Sequence, residues 1–142
     1  MKKYLLISSL LLYAPTAWSA PPPINSEDYQ TLHPFAEWLT KISDKNGNIC
    51  CDISDGRPTE AQRGRPESAT VPVDPDPRDG KEHWWVRIEP KHFPGDKKNP
   101  LQPDHWTWVP TDKVVKNENP TGIAILWLYN GLVQCFIPGN EG

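Results

Sequence analysis

Three cysteines and four histidines hold most of the reactive chemistry this chain can offer. Cys50 and Cys51 are adjacent, with Asp52 and Asp55 close behind them, and Cys135 stands near the C-terminus. The histidines are His33, His83, His92 and His105. Neighbouring cysteines chelate poorly, because ligand pairs usually stand roughly two to four residues apart, and no His-x₃-His pair is present. The metal site the chain could best build is a soft one, Cu(I) on Cys50 with a nearby histidine. A thiol hydrolase would pair Cys50 with His83 or His105. It would need a depressed thiolate pKa, whereas Cys50 follows a helix end and sits beside Asp52, both of which disfavour the anion. There is no nucleophile elbow, phosphate loop or paired zinc motif. Asp74, Asp76 and Asp79 before Gly80 have the wrong spacing for a calcium loop and are interrupted by prolines, so they read as a solvated acidic turn. No catalytic residue, metal ligand or cofactor is assigned.

The cysteines are better explained by export. Met1-Lys2-Lys3 is a positive leader, Tyr4 to Tyr13 a short apolar run, and Ala17-Trp18-Ser19 a small-residue cleavage site, so residues 1–19 read as a signal peptide too short to span a membrane. A periplasmic or secreted protein meets an oxidising environment in which cysteines pair. Three cysteines then give one disulfide and one leftover thiol. Successive residues of an extended segment face opposite ways, and Cys51 alternates with the apolar Ile49. The expected bridge is therefore Cys51–Cys135 with Cys50 as the free thiol, and Cys50–Cys135 is the alternative. Closing a loop of more than eighty residues, such a bridge stabilises by roughly 4 kcal/mol in the chain-entropy model.

The elements that must position these groups follow in order. Residues 20–33 read as an extended, proline-rich arm with a short helical turn capped by Ser26, where Glu27 and Asp28 suit the helix dipole. Phe35, Trp38, Leu39 and Ile42 make one apolar stripe, predicting a helix over 34–43 that starts at Pro34 and stops before Asn46-Gly47. Residues 57–80 are rich in proline and charge and read as a long surface loop, and residues 91–103 as another. His83 to Glu89 alternates like a half-buried strand, and His105 to Val109 is a second one ended by Pro110. Thr111 to Lys113 is a turn with 3₁₀ character, after which Val114-Val115 return to the core. Asn130-Gly131 between two apolar runs then marks a hairpin over 122–137, because both turn residues of a type I′ turn need positive φ. That turn pairs Tyr129 with Leu132, Leu128 with Val133 and Leu126 with Cys135. Both hairpin faces are apolar, which places it centrally, covered on both sides.

Tryptophan is the other conspicuous resource, with six of seven lying beyond the leader. Trp84, Trp85, Trp106 and Trp108 fall in two strands. As core filler they need no ligand; facing water they would make a stacking platform for a sugar or a peptide. The candidate contacts are Trp85, Arg87, Trp106 and Trp108, since Trp85 shares its face with Arg87 and Glu89. A formal charge of −3 without a basic cluster speaks against nucleic acid and anionic membrane as partners.

Four stretches resemble a group of small exported proteobacterial proteins. They are Phe35 to Trp38, Cys50 to Arg57, Trp106 to Pro110, and Cys135-Phe136-Ile137-Pro138. The group shares a Cys-Cys-Asp-x-x-Asp-Cys-Arg segment after an aromatic-rich helix, a Trp-x-x-x-Pro strand end and a hairpin closing on Cys-Phe-x-Pro. Here Gly56 stands where the group has a cysteine, and the strand around Trp127 lacks another. Loss of both implies one missing disulfide, with the Cys135 bridge kept. The resemblance bears on architecture and compartment and assigns no activity.

Together these readings give an α+β domain over 34–142. One N-terminal helix docks on an antiparallel sheet of about four strands, compatible with a small SH3-like barrel, with a disulfide staple and long proline-rich loops. The function that fits is an exported, non-catalytic module binding a protein or glycan partner through an aromatic patch. The alternative is a thiol- or metal-handling periplasmic protein using Cys50. After leader cleavage no stable membrane insertion is expected.

Overall fold

The computed structural model describes residues 24–50, 56–69, 77, 79–93, 104–129 and 131–140. The proposed signal peptide, Cys51, Asp52, Asp55 and the acidic run at Asp74 and Asp76 lie outside the described residues. Among the described residues no helix is long and apolar enough to cross a membrane.

Helix α1 (Glu27–Leu32) begins where Ser26 accepts a hydrogen bond from the Tyr29 backbone N–H, with Glu27 and Asp28 in its first turn. A 3₁₀ turn (His33–Phe35) carries Pro34, and α2 (Ala36–Leu39) completes the segment. The helix expected over 34–43 is thus shorter and is preceded by a fuller α1. It stops early because the Asp44 carboxylate captures the backbone N–H groups of Asn46 and Asn48, and Gly47 takes a φ of 80°. The apolar stripe still docks as expected: Leu39 and Ile42 are buried, and Phe35 and Trp38 pack against the same cluster.

Among the described residues six strands form two antiparallel three-stranded sheets rather than one sheet of about four. Strand β2 (Ala61–Arg63) and all but the first residue of β1 (Gly56–Pro58) lie within the stretch expected to be loop. They have few apolar side chains and owe their strand state to pairing: β1 with β5 (Ile125–Tyr129), and β2 with β3 (Trp84–Ile88). Strand β3 also pairs with β4 (His105–Trp108), and β5 with β6 (Leu132–Ile137). The sheets meet at a corner where Thr59 donates its backbone N–H to Ala124 and its hydroxyl to the Arg87 carbonyl, while Glu60 accepts from the Arg87 N–H. The 3₁₀ turn (Thr111–Lys113) and the return of Val115 to the core both occur as expected.

The hairpin is sandwiched between two cores. Ile125, Trp127, Cys135 and Ile137 face the helical segment, with Leu32, Leu39, Ile42 and Val115. Leu126, Leu128 and Phe136 face the second sheet, where they meet Trp84, Val86 and Val109. The turn pairs Tyr129 with Leu132 and Leu128 with Val133 as expected, but a bulge follows, so Cys135 pairs with Trp127 and not with Leu126. The bulge turns Cys135 and Ile137 onto the helix side.

That rotation aims Cys135 at Cys50. The disulfide is Cys50–Cys135, with Cα atoms 5.6 Å apart, which corrects the expected Cys51–Cys135 pair and the assignment of Cys50 as a free thiol. The parity argument failed at its anchor. Ile49 is 73% exposed while Cys50 is 1% exposed, so the apolar neighbour points outward.

Candidate functional site

The expected tryptophan platform is closed. Trp85 and Trp106 are 3% and 7% exposed and pack with Ala69 and the partly buried Trp108. The 65–69 turn forms the cover: Arg65 lies over the Trp85 ring, 5.8 Å from its centroid, and donates to the Ala69 carbonyl at 3.2 Å. The core reading of these rings, weighed against the platform, is the one realised for Trp85 and Trp106. Arg87 is occupied as well. Its Nε and Nη2 bond the two carboxylate oxygens of Asp104, and its Nη1 donates to Glu60 at 2.9 Å. These bonds, those to Asp104 foremost, hold its guanidinium pKa above the ordinary value. The structure brings Trp85, Trp106 and Trp108 together on one face, as the strand pattern implies, but as a packed cluster.

What opens to solvent instead is a cleft of about 180 Å³ at the end of the second sheet. Trp84, Val109 and Val114 supply its apolar walls, and among the described residues Lys45, Arg63 and Lys116 surround it with three cations against one acid, Glu82. Each side chain is delivered by a different element. Arg63 sits directly opposite Trp84 in the β2–β3 register, and its guanidinium stacks 4.7 Å from the indole centroid. Lys116 follows Val115, whose N–H is held by the Phe136 carbonyl. Lys45 rides on the Asp44 turn. Neither Lys45 nor Lys116 has an ion-pair partner among the described residues.

The Asp44 turn shapes both the cleft and the disulfide approach, since Cys50 donates its N–H to the Ile42 carbonyl directly after it. Besides the two backbone N–H groups, the Asp44 carboxylate accepts the Asn48 side-chain amide at 3.0 Å and meets Lys113 at 3.6 Å. The Asn48 amide is the main cause that holds the Asp44 carboxyl below its usual value, outweighing the opposing effect of burial. A carboxyl depressed on folding contributes stability above its unfolded pKa of about 4, and loses that contribution as pH falls through the folded value. Asp44→Asn should therefore flatten the fall in stability below about pH 4. Urea midpoints of both proteins across the acid range would show it, and parallel profiles would contradict the assignment.

His83 forms the back of the cleft and is 5% exposed. Its Nε2 is 2.9 Å from Asp79 Oδ1, its Nδ1 lies 3.4 Å from the Val109 carbonyl oxygen, and its ring meets the Trp108 indole edge-on. The hydrogen bond with His83 is the main cause lowering the Asp79 pKa. Both ring nitrogens face protein oxygens and the ring is buried against Trp108, so the Asp79–His83 pair positions the strand end. His92 is half-buried, 2.8 Å from Asp28 Oδ2 and 3.2 Å from Glu89 Oε2, tying α1 to the end of β3. His33 stacks on Tyr29 within α1 and its following turn. Among the described residues no group of three His, Cys, Asp or Glu side chains is placed to hold a metal ion. Cys50, whose sulfur is committed to Cys135, does not have the thiol on which a thiol- or metal-handling role would depend.

Reading the sequence missed Lys45, Arg63, Glu82 and Lys116. No local signal marks them, because they come from four separate elements and only the strand register and the Asp44 turn bring them together. No known protein family, curated protein or solved structure matches the chain.

Proposed function

We propose that this is an exported, non-catalytic module that binds a protein or glycan partner, and that the cleft around Lys45, Arg63, Trp84 and Lys116 is where the partner is engaged. The observation that carries this reading is a pair of lysines without ion-pair partners among the described residues, beside a stacked Arg–Trp pair, at an open concavity. The closed aromatic cluster at Trp85 and Trp106 argues for moving the binding face from the open platform to this cleft. The Cys50–Cys135 bridge supports export into an oxidising compartment. Resemblance to the small exported proteobacterial proteins gains support from register. Gly56 stands directly opposite Trp127, so the position where the group has a cysteine faces the strand region that lacks the group's other one. The corner joining two small sheets is compatible with an SH3-like barrel.

The test is chemical-shift mapping of the isotope-labelled protein against co-exported proteins and cell-wall fragments. Shifts should cluster at Arg63, Glu82, Trp84, Thr111 and Lys116. Shifts confined to the exposed hairpin end at Tyr129 and Leu132 would overturn the assignment of the cleft.

A further inference from the structure

The lining of the cleft restricts what can enter it, and the inference drawn here rests on the binding reading above. Three cations gather around one small opening on a chain whose formal charge is −3. Such local reversal of sign focuses the field and draws an anion to that spot. The volume, about 180 Å³, is below the roughly 300–1,000 Å³ of pockets that enclose a whole small molecule. It suits one side-chain-sized group projecting from something larger. Trp84 is 8% exposed and the Arg63 guanidinium already covers one face of its ring, which removes the open aromatic surface a sugar would stack on. What the cleft retains is ammonium chemistry from Lys45 and Lys116. Their long stems and rotatable N–H donors accept carboxylates over a range of approach angles. Lys113 is excluded from this role because it is drawn to Asp44. Glu82 at the rim opposes a second negative group beside the first.

We propose that the cleft takes a carboxylate side chain from an acidic segment of a partner protein, held between Lys45 and Lys116. The probe is a hexaglutamate peptide, titrated into the full folded protein at low and at physiological salt and followed by chemical-shift mapping. An oligogalacturonate of equal charge serves as the acidic-glycan arm. Hexaglutamate should shift Arg63, Glu82 and Thr111, bind more tightly than the glycan, and weaken as salt rises. The double variant Lys45→Gln/Lys116→Gln should weaken binding by about tenfold. Lys81→Gln/Lys91→Gln, which removes two cations outside the cleft, should leave binding unchanged. Equal weakening by the two double variants would overturn the proposal, because binding would then follow total charge and not the cleft. Tighter oligogalacturonate binding at the same residues would overturn the protein-ligand inference and leave the cleft as the binding site. Failure of both probes while an envelope component still maps to the cleft would overturn the acidic inference alone. Mapping of that component to another surface would overturn the binding reading as well.

Discussion

Removing the disulfide through Cys50→Ala/Cys135→Ala should lower the unfolding free energy by about 4 kcal/mol. The sequence separation of 85 residues makes the closed loop long, so the cross-link takes a large share of conformational freedom from the unfolded chain. Both cysteines are at most 2% exposed, and deleting their sulfurs also leaves small voids between α2 and the hairpin. Urea unfolding of the wild type with and without reductant, beside the double variant, separates the two contributions. Reductant should reproduce most of the loss, and the variant slightly more. A loss under about 1 kcal/mol in both would show that the bridge constrains little. Disulfide mapping of native material should find Cys50 joined to Cys135, and a Cys51–Cys135 peptide would refute the pairing.

The second large effect concerns Trp127. It is 1% exposed, lies in the core between the hairpin and the helical segment, and sits directly opposite Gly56. Trp127→Ala should cost about 3–5 kcal/mol, as large aromatic truncations in close-packed cores do. The indole uses the space that the absent side chain of Gly56 leaves: a Cβ there would come within 2.9 Å of Cε2 and 3.0 Å of Nε1. Gly56→Ala should therefore destabilise the wild type by about 1–3 kcal/mol through overpacking. It should cost far less when Trp127 is already alanine, and the difference is the coupling read from a double-mutant cycle. Additive losses would mean that the indole does not depend on the glycine. The buried Trp127 Nε1 has no hydrogen-bond partner among the described residues, so Trp127→Phe should be milder than its loss of volume suggests, because the unpaired donor goes with it.

These same residues show what could be read before folding. The hairpin was legible because its turn chemistry and apolar runs agree, and pairing next to the turn followed directly. The bulge was not legible because both faces are apolar. Gln134 is the extra residue of the bulge, and the residues beyond it are apolar, so shifting them by one exchanges apolar groups between two apolar faces and carries little penalty. The docked stripe of Leu39 and Ile42 was legible for the opposite reason, as its back is polar. Strands β1 and β2 gave no period-two signal, since Arg57 is buried and Arg63 exposed, and their state comes from tertiary pairing. Cys50 was misassigned because Ile49, the residue used to set inward parity, faces water. Aromatic content announced the tryptophan cluster but not that the 65–69 turn would cover it. The cationic cleft lay beyond local reading, as its members meet only through register.

Thr59 has a consequence for the molecule as a whole. Its main chain belongs to the sheet built on the C-terminal hairpin, and its hydroxyl is 2.7 Å from a carbonyl of the other sheet, with only Glu60 before β2 begins. With so short a tether, neither half can melt and leave its neighbour intact. Loss of order in one should pull the other with it, so that a population midway between native and denatured does not accumulate and the domain behaves as one all-or-none cooperative unit.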